Sequence, residues 1–233
     1  MAKNFRNPPS QSALARAVYI GVLIVVSLAV VWPVRASTQS LAVRYKLSYE
    51  IEVNDQIRTG SGVMQIRVIE TGSTRTGFQS IGFEISGEAI PIDLGDGRYL
   101  FSLLSGGDGI RIEGWNNAYH SMTHDKFLMV AFRDYAVFAY DILANFRILK
   151  EKKPAVEVPA YILPKLYISS ELNEPEAFVY VKPNELDGFG IKIRRVTLAV
   201  TDEKMTQGRI LRILPWLHKY EGYRPVARYE FIS

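Results

Sequence analysis

The amino-acid sequence predicts an α+β protein: a β-rich, mostly antiparallel domain with one central helix and a short C-terminal helix, after an N-terminal membrane-targeting helix. Three observations predict this class. Residues 17–34 form an uncharged, mostly apolar run. Residues 44–53 alternate between polar and apolar side chains, which is the period of a half-buried strand. Residues 134–149 contain no Gly or Pro and place apolar side chains at helical spacing.

The apolar run predicts a helix that directs the chain to a membrane. At helical rise the run spans roughly 27 Å, against about 30 Å for the hydrocarbon core of a bilayer, which suits a short uncleaved anchor. Pro33 ends this helix, and Val34-Arg35-Ala36 places small or β-branched residues at the two positions that a signal peptidase reads. The long basic segment before the run favours an anchor. Residues 1–36 are therefore interpreted as a signal peptide or a signal anchor, with the balance toward cleavage after Ala36.

The charges around the run predict its orientation. Lys3, Arg6 and Arg16 precede it, and Arg35 follows it. Positive charge before an apolar helix keeps the N-terminus in the cytoplasm, so we expect the main domain on the far side of the membrane. The chain has no cysteine, so this domain relies on its hydrophobic core rather than on disulfides for its stability.

The formal net charge of +4 comes from the targeting segment. Lys3, Arg6, Arg16 and Arg35 are the charged residues among the first 36. Without these four, 24 of the 28 basic residues remain against 24 acidic ones, so the exported domain is formally neutral. Nucleic-acid binding requires a surplus of positive charge that displaces counterions from phosphates, so we predict no nucleic-acid partner.

Residues 37–42 are predicted to be a short polar linker, and a single domain follows over 43–233. This domain begins with a hairpin over 45–68, whose first strand alternates apolar with polar and charged side chains. We expect a three-residue loop at 54–56, because this loop keeps Ile57 on the apolar face of the hairpin.

Two changes of parity in the apolar pattern predict β-bulges. In the first hairpin, apolar residues move to even positions after Gly60-Ser61-Gly62. In a later predicted strand, 191–200, the change falls at Arg194-Arg195.

A second hairpin is predicted over 90–104 from its turn. Asp96-Gly97 is a favoured pair for a two-residue type I′ turn. The resulting register places apolar residues opposite each other at every step: Leu94 with Tyr99, Ile92 with Phe101, and Ile90 with Leu103. Apolar residues also occupy the other face of the second strand, so we expect that strand to be central and buried on both faces.

The centre of the chain is predicted to be helical over 134–149, while residues 127–132 are equally consistent with a strand leading into the helix. The run Lys150-Glu151-Lys152-Lys153 follows, where cations suit the helix dipole. We interpret this run as a solvated helix end in preference to a contact with lipid headgroups.

The C-terminal third is predicted to continue the β structure. Pro154, Pro159 and Pro164 mark an extended connector, since each lacks a donor for a β ladder. The elements that follow are strands at 165–169, 177–181 and 191–200, a short helix around 210–217, and a closing strand at 226–232.

His120, His124 and Asp125 are weak candidates for a metal site. Two histidines four residues apart lie on one face of a helix and can bind a metal together. The glutamate that accompanies such pairs in metalloproteases is missing, and the preceding Gly114–Asn117 is typical of a loop. We therefore predict no metal and no cofactor.

The sequence shows no recognisable catalytic nucleophile. Cysteine is absent, and Gly60-Ser61-Gly62 is too short for the Gly-x-Ser-x-Gly elbow of hydrolases. The glycines at 106, 107 and 109 lack the Lys-Ser or Lys-Thr that follows a phosphate-binding loop. Carboxylates are numerous, but no pair is singled out for glycoside hydrolysis. No catalytic residue is therefore predicted.

Three stretches resemble a family of small bacterial exported or membrane-anchored proteins without assigned function: Tyr49–Val53 with Arg58–Val63, Gly87–Leu94, and Leu214–Leu217. The resemblance touches both ends of the domain but not residues 134–153. It implies a bacterial envelope protein, exported across or anchored in the inner membrane with its main domain in the periplasm. It supplies no catalytic or binding residue.

Export, neutral charge and abundant aromatic residues favour a non-enzymatic envelope protein whose β-rich domain binds another protein. Two alternatives stay open. One is a periplasmic module that binds a lipid or other apolar ligand between a curved sheet and the helix near Tyr140. The other is a hydrolase that uses carboxylates or His120 and His124. The membrane is a further partner if residues 1–36 are retained.

Overall fold

The computed structural model describes residues 37–72, 79–104, 124–135, 141–218 and 231–232. The chain divides into two compact units, Met1–Ser37 with Thr71–Gln79, and Thr38–Glu70 with Ser80–Ser233. Nearly all described residues belong to the second unit. The targeting residues Arg16, Arg35 and Ala36 lie outside the described ranges.

The described elements alternate long strands, short strands and short helices. The strands are β1 (Ser37–Val53), β2 (Gln56–Gly72), β3 (Gln79–Ser86), β4 (Ile90–Asp93), β5 (Tyr99–Ser102), β6 (Ala155–Glu157), β7 (Leu166–Ser169), β8 (Val179–Val181) and β9 (Ile191–Val200). The α-helices are α1 (His124–Ala131), α2 (Ile142–Lys152) and α3 (Arg209–Ile213). Four 3₁₀ segments cover Ala160–Ile162, Pro175–Ala177, Pro183–Phe189 and Pro215–His218.

The strands form a five-stranded sheet, in the order β3-β2-β1-β9-β6, and a four-stranded sheet, in the order β4-β5-β7-β8. The pairs β1–β9, β4–β5, β5–β7, β6–β9 and β7–β8 are all antiparallel. This architecture confirms the predicted α+β class with mostly antiparallel sheets. Within the described ranges, no helix is both long and apolar enough to cross a membrane.

The inner face of β1 forms the centre of the main core. Its alternating residues are at most 2% exposed, as the sequence predicted: Tyr45, Leu47, Tyr49, Ile51 and Val53. They share this core with residues of the second sheet, such as Ile92 and Leu100, and with Phe146 of α2. The strand begins at Ser37, so the prediction of a linker at 37–42 was wrong. Pairing of β1 with the equally long β2 extends the strand through these polar residues.

The loop of the first hairpin is shorter than predicted. Asn54 and Asp55 alone separate β1 from β2, and both have positive φ, 49° and 59°. A turn of two left-handed residues matches the twist of the flanking strands, and Asn and Asp tolerate that conformation. Ile57 is consequently 55% exposed. The two-residue turn places the even-numbered residues of β2 on the inner face, so the change of parity that predicted a bulge at 60–62 does not arise.

The loop of the second hairpin is longer than predicted. Ile92 pairs with Leu100 rather than with Phe101, and the Leu94 amide donates to the Arg98 carbonyl at 3.0 Å. The loop Gly95-Asp96-Gly97 therefore has three residues. Asp93 and Asp96 fix it, because their carboxylates accept from the amides of Gly95 and Arg98 at 2.8 and 3.1 Å.

The four-stranded sheet is buried on both faces, as predicted for its central strand β5. The one-residue change of register puts Leu100 in the main core and Phe101 in a second core on the opposite face. This second core is covered by α3 and the following 3₁₀ segment, through Ile210, Leu214 and Leu217.

The central helix starts later than predicted. Helix α2 begins at Ile142, capped by Asp141, whose carboxylate accepts from the Ala144 amide at 2.8 Å. Asp134 and Tyr135 lie in a turn, and residues 136–140, including Tyr140, fall outside the described ranges. Residues 127–132, read as a strand or a lead into the helix, belong mainly to helix α1. The end at Lys152 is as predicted, with Lys153 left-handed and exposed.

Strand β9 matches its prediction at both ends and in its bulge. The β1–β9 register pairs Glu50 with Arg195 but Ile51 with Ile193, which leaves Arg194 as the extra residue. Helix α3 confirms the short C-terminal helix. Most of the predicted strand 226–232 lies outside the described ranges, and its described part forms a bridge from Ile232 to Glu88.

Candidate functional site

The outer face of the five-stranded sheet is polar and charged. Alternation in β1 places Lys46, Ser48, Glu50 and Glu52 on this face. Glu50 lies 2.9 Å from Arg195, Glu52 pairs with Arg194, and the Lys46 ammonium lies 3.0 Å from the Glu203 carboxylate. Exposed pairs such as these contribute about 0–1 kcal/mol each. Their main effect is to fix the arrangement of charge on the face.

A cleft of about 500 Å³ opens on this face. Strands β1, β2 and β9 contribute most of its lining, while Pro91 of β4 and Arg209 of α3 line it as well. Four of its residues are serines or threonines, with aliphatic hydroxyl groups: Ser48, Thr59, Ser61 and Thr197. The hydroxyl of Tyr49, which also lines it, is buried and bonded to Ser102. Four carry charge: Lys46, Glu50, Arg195 and Arg209. The volume lies within the range of ordinary ligand sites, but the polar lining differs from the apolar lining typical of small-molecule pockets.

The hydroxyl groups lie on neighbouring strands. The β1–β9 register places Ser48 opposite Thr197, and the two-residue turn places Ser61 opposite Ser48 on the other side. None of the four hydroxyls has a hydrogen-bond partner within the described part of the chain. Hydroxyls that face a cleft without internal partners are free to bond a ligand as donors or acceptors.

Arg209 lines the cleft, and its charged guanidinium group is partly buried. Its Nη2 donates to the Ser61 carbonyl at 2.8 Å, and its Nε lies 3.7 Å from the Glu88 carboxylate, within ion-pair range but too far for a hydrogen bond. Among the described residues, this Nε has no hydrogen-bond partner. Burial lowers the pKa of the Arg209 guanidinium, and the Glu88 charge opposes that effect.

Glu88 holds the segment that carries Arg209. The residue is only 2% exposed, and its carboxylate accepts from the amides of Arg209 and Ile210 at 2.9 and 3.1 Å. These two amides belong to the first turn of α3, where a carboxylate satisfies donors that the helix leaves free. Nearby, Val63 and Thr206 exchange hydrogen bonds of 2.9 and 3.0 Å. Hydrogen bonds between Val63 and Thr206 therefore hold the segment before Arg209, which forms this wall of the cleft, against β2.

The lining lacks the usual arrangements of a hydrolase. Ser48 and Ser61 contact no base within the described ranges, and a serine nucleophile needs an adjacent base. Glu50 is the carboxylate of the lining, and it is paired with Arg195. Glycoside hydrolysis requires two carboxylates across the bond to be cleaved. The cleft is suited to binding by hydrogen bonds and ion pairs.

The predicted weak metal candidates lie only partly within the described residues. His124 and Asp125 begin helix α1, and His120 lies outside the described ranges. Where the structure describes the chain, no group of three His, Cys, Asp or Glu residues is placed to hold a metal ion. Ser61, which the sequence pointed to only through its neighbouring glycines, lines the cleft instead.

Gly60 and Gly62 bring the second sheet close behind the cleft. A Cβ at Gly60 would lie 2.5 Å from Ile92 Cγ1, and one at Gly62 would lie 2.9 Å from Ile90 Cγ1. Only glycine allows this approach. The sheets are therefore in contact here, and an apolar ligand between them would have to displace side chains.

Two aromatic residues stand out from the core on neighbouring 3₁₀ segments. Tyr161 is 67% exposed and Phe189 is 37% exposed. Most other aromatic residues of the described ranges pack inside, such as Phe101, Phe178 and Phe231 of the second core. Tyr161 and Phe189 do not line the cleft.

The cleft could be predicted only in part. The alternation of β1 marked Ser48 and Glu50 as outward-facing, but the pairing of β1 with β9 joins residues far apart in the chain. No local signal placed Thr197 or Arg209 beside them. The only signal for Ser61 was its pair of flanking glycines.

The described fold defines an α+β protein with two mostly antiparallel sheets and a polar cleft on one of them. No protein-family model matches the chain. No curated protein matches it either, and neither does any solved structure. The resemblance to small bacterial envelope proteins therefore stays a prediction.

Proposed function

We propose that this chain is a non-enzymatic bacterial envelope protein whose β-rich domain binds a segment of another protein in the cleft on its outer sheet face. The observation that carries the proposal is a set of four hydroxyls that have no hydrogen-bond partner among the described residues: Ser48, Thr59, Ser61 and Thr197. Charges of both signs border them. The envelope location rests on the apolar run at 17–34 and the basic residues before it.

A polypeptide segment suits this lining better than an apolar ligand does. Its backbone offers both donors and acceptors, which the hydroxyls can satisfy together. Acidic side chains on such a segment can pair with Lys46 or Arg195, and basic ones can pair with Glu50. The ion pairs that these residues already form within the domain are exposed and weak. Charges at an interface chiefly select the partner and its register, while well-buried contacts supply most of the affinity.

The test compares two substitutions on the same strand in a pull-down from envelope fractions. Ser48→Tyr fills the cleft from its floor. Ser40→Tyr is the matched control, because Ser40 has the same parity in β1, is exposed, and does not line the cleft. We expect a protein partner to be recovered with the unchanged chain and with Ser40→Tyr, and its recovery to fall at least about tenfold with Ser48→Tyr.

Two outcomes would contradict the proposal. One is equal recovery with both variants, which would place any binding surface away from the cleft. The other is recovery of a lipid or a small molecule, in place of a protein, with the unchanged chain. Circular dichroism of both variants would establish that the sheet is still folded.

A further inference from the structure

Helix α2 presents a basic surface beside the first residues of the domain. Arg147, Lys150 and Lys152 are exposed on this helix, and Glu151 is the acidic residue among them. The opposite side of the helix is anchored in the core by three buried apolar residues, Leu143, Phe146 and Leu149. The basic side chains therefore point away from the core and keep their charge in contact with solvent.

The structure also places this helix near the start of β1. The Arg147 guanidinium donates to the Gln39 side-chain carbonyl at 3.2 Å. Gln39 follows Arg35 by four residues, a length of chain that spans at most about 14 Å. Strand β1 begins at Ser37, three residues after the end of the apolar run in the sequence.

We propose that the exposed basic residues of α2, Arg147, Lys150 and Lys152, bind anionic lipid headgroups at the surface of the membrane that the apolar run is predicted to enter. This proposal revises the interpretation from sequence, which favoured a solvated helix end at 150–153, because the structure adds the contact of Arg147 with Gln39. The proposal concerns the chain that retains residues 1–36, and it is independent of the cleft. Lys153 is left out, because it pairs with Asp202. We take the occupant to be a lipid surface, because anionic headgroups complement three exposed cations and because the predicted membrane segment ends only a few residues before Gln39, the partner of Arg147.

The magnitudes explain why retention of the apolar run matters. A basic residue near an anionic membrane surface contributes about 1 kcal/mol, and Glu151 offsets part of the total for three cations. Attraction of this size is too weak to hold a freely diffusing domain. A covalent anchor raises the local concentration of the helix at the membrane, so the same attraction can fix the orientation of the domain.

The absence of cysteine permits a clean test with the full chain. The chain, carrying Glu151→Cys and a fluorophore on that cysteine, is reconstituted in vesicles of phosphatidylcholine with or without phosphatidylglycerol. A quencher is carried on the lipid headgroups. The control position is Ile57→Cys, which is exposed beside the hairpin turn, about 50 Å along β1 from Gln39.

We expect stronger quenching at position 151 in vesicles with phosphatidylglycerol than in vesicles without it. Position 57 should show no difference between the two kinds of vesicle, and high salt should abolish the difference at position 151. The charge variant K150Q/K152Q should remove the difference. K182Q/K192Q, which removes two exposed lysines outside α2, should not. The proposal is overturned if quenching at position 151 is independent of phosphatidylglycerol. It is equally overturned if both charge variants behave alike, or if positions 151 and 57 respond equally.

Discussion

At the scale of single residues, Glu88 joins three parts of the molecule. Its buried carboxylate caps the first turn of α3, lies within ion-pair range of Arg209, and thereby supports the wall of the cleft. Its backbone takes part in the bridge to Ile232. Through its side chain and its backbone, Glu88 thus links α3, the wall of the cleft and the C-terminal segment.

Substitution of Glu88→Gln should lower the free energy of unfolding by about 2 kcal/mol. The amide keeps one acceptor for the α3 amides but removes the charge beside the partly buried Arg209, and hydrogen bonds to charged groups contribute about 1.5–3 kcal/mol. Urea unfolding measures the change. Glu176→Gln, at an exposed position, is the control and should be neutral. If Glu88→Gln lowers the free energy of unfolding no more than the control does, the Glu88 carboxylate does not stabilise α3 and Arg209 in this way.

Two buried tyrosines predict a dependence of stability on alkaline pH. Burial raises the pKa of Tyr45 and of Tyr49 far above the ordinary value, although the hydrogen bond of Tyr49 with Ser102, at 2.8 Å, partly opposes the shift. In the unfolded chain both phenols ionise near pH 10, while in the folded chain they stay neutral. Their contribution is complete below about pH 10 and is lost as the pH rises toward the folded pKa values.

We expect the free energy of unfolding to fall by about 1.4 kcal/mol per pH unit for each such tyrosine above about pH 10. Tyr49→Phe should make this slope shallower by the contribution of one tyrosine, about 1.4 kcal/mol per pH unit. The same substitution should also lower stability at neutral pH, because it removes the hydrogen bond with Ser102. Tyr161→Phe removes a hydroxyl at an exposed position and is the control. An unchanged slope in Tyr49→Phe would show that Tyr49 ionises in the folded chain.

At the scale of elements, the two hairpins depart from their predictions in opposite directions. The first was predicted with a three-residue loop and has two; the second was predicted with two and has three. The first prediction rested on keeping Ile57 on the apolar face, and the second rested on Asp96-Gly97 as a two-residue turn. Asn54-Asp55 accepts left-handed φ at the cost of exposing Ile57, and Asp93 and Asp96 fix a loop between two glycines of positive φ.

Strand identity was easier to predict than strand pairing. Alternation is a local property, so the inner face of β1, the limits of β9 and its bulge at Arg194 followed from the sequence. The helix predicted over 134–149 was placed too early, because the helical spacing of apolar residues continues across Asp141. In the structure Asp141 is the N-cap of α2. The order of the sheets depends on contacts between distant residues, which no local pattern encodes.

The glycines of β2 predict a further stability effect. Gly60→Ala should lower the free energy of unfolding by about 1–3 kcal/mol, because the added Cβ would meet Ile92 Cγ1 at 2.5 Å and the Pro91 carbonyl oxygen at 3.1 Å. Thermal or urea unfolding measures this loss.

Gly188→Ala is the matched control. Among the described residues, no atom outside its own stretch of chain lies within 4 Å of the position that its Cβ would take, so this substitution should be neutral or slightly stabilising. Equal stability of the two variants would mean that the sheets do not approach each other as closely at Gly60 as the structure has them.

At the scale of the whole molecule, the chain combines a predicted membrane-targeting segment with a binding cleft on its exported domain. The apolar run predicts delivery to a membrane, the two cores build a domain that needs no disulfide, and the outer sheet face carries the cleft. The four serine and threonine hydroxyls and the mixed charges of that cleft suit binding through hydrogen bonds and ion pairs. The central claim is therefore that a partner protein occupies the cleft in the cell.

Site-specific photo-crosslinking in living cells tests that claim most directly. Thr197 is replaced with p-benzoylphenylalanine in the full chain, and Ser40, on the same sheet face but outside the cleft, is replaced in the control. We predict a discrete protein adduct from position 197 on irradiation and none from position 40. Absence of an adduct at position 197, or the same adduct from both positions, would contradict the account.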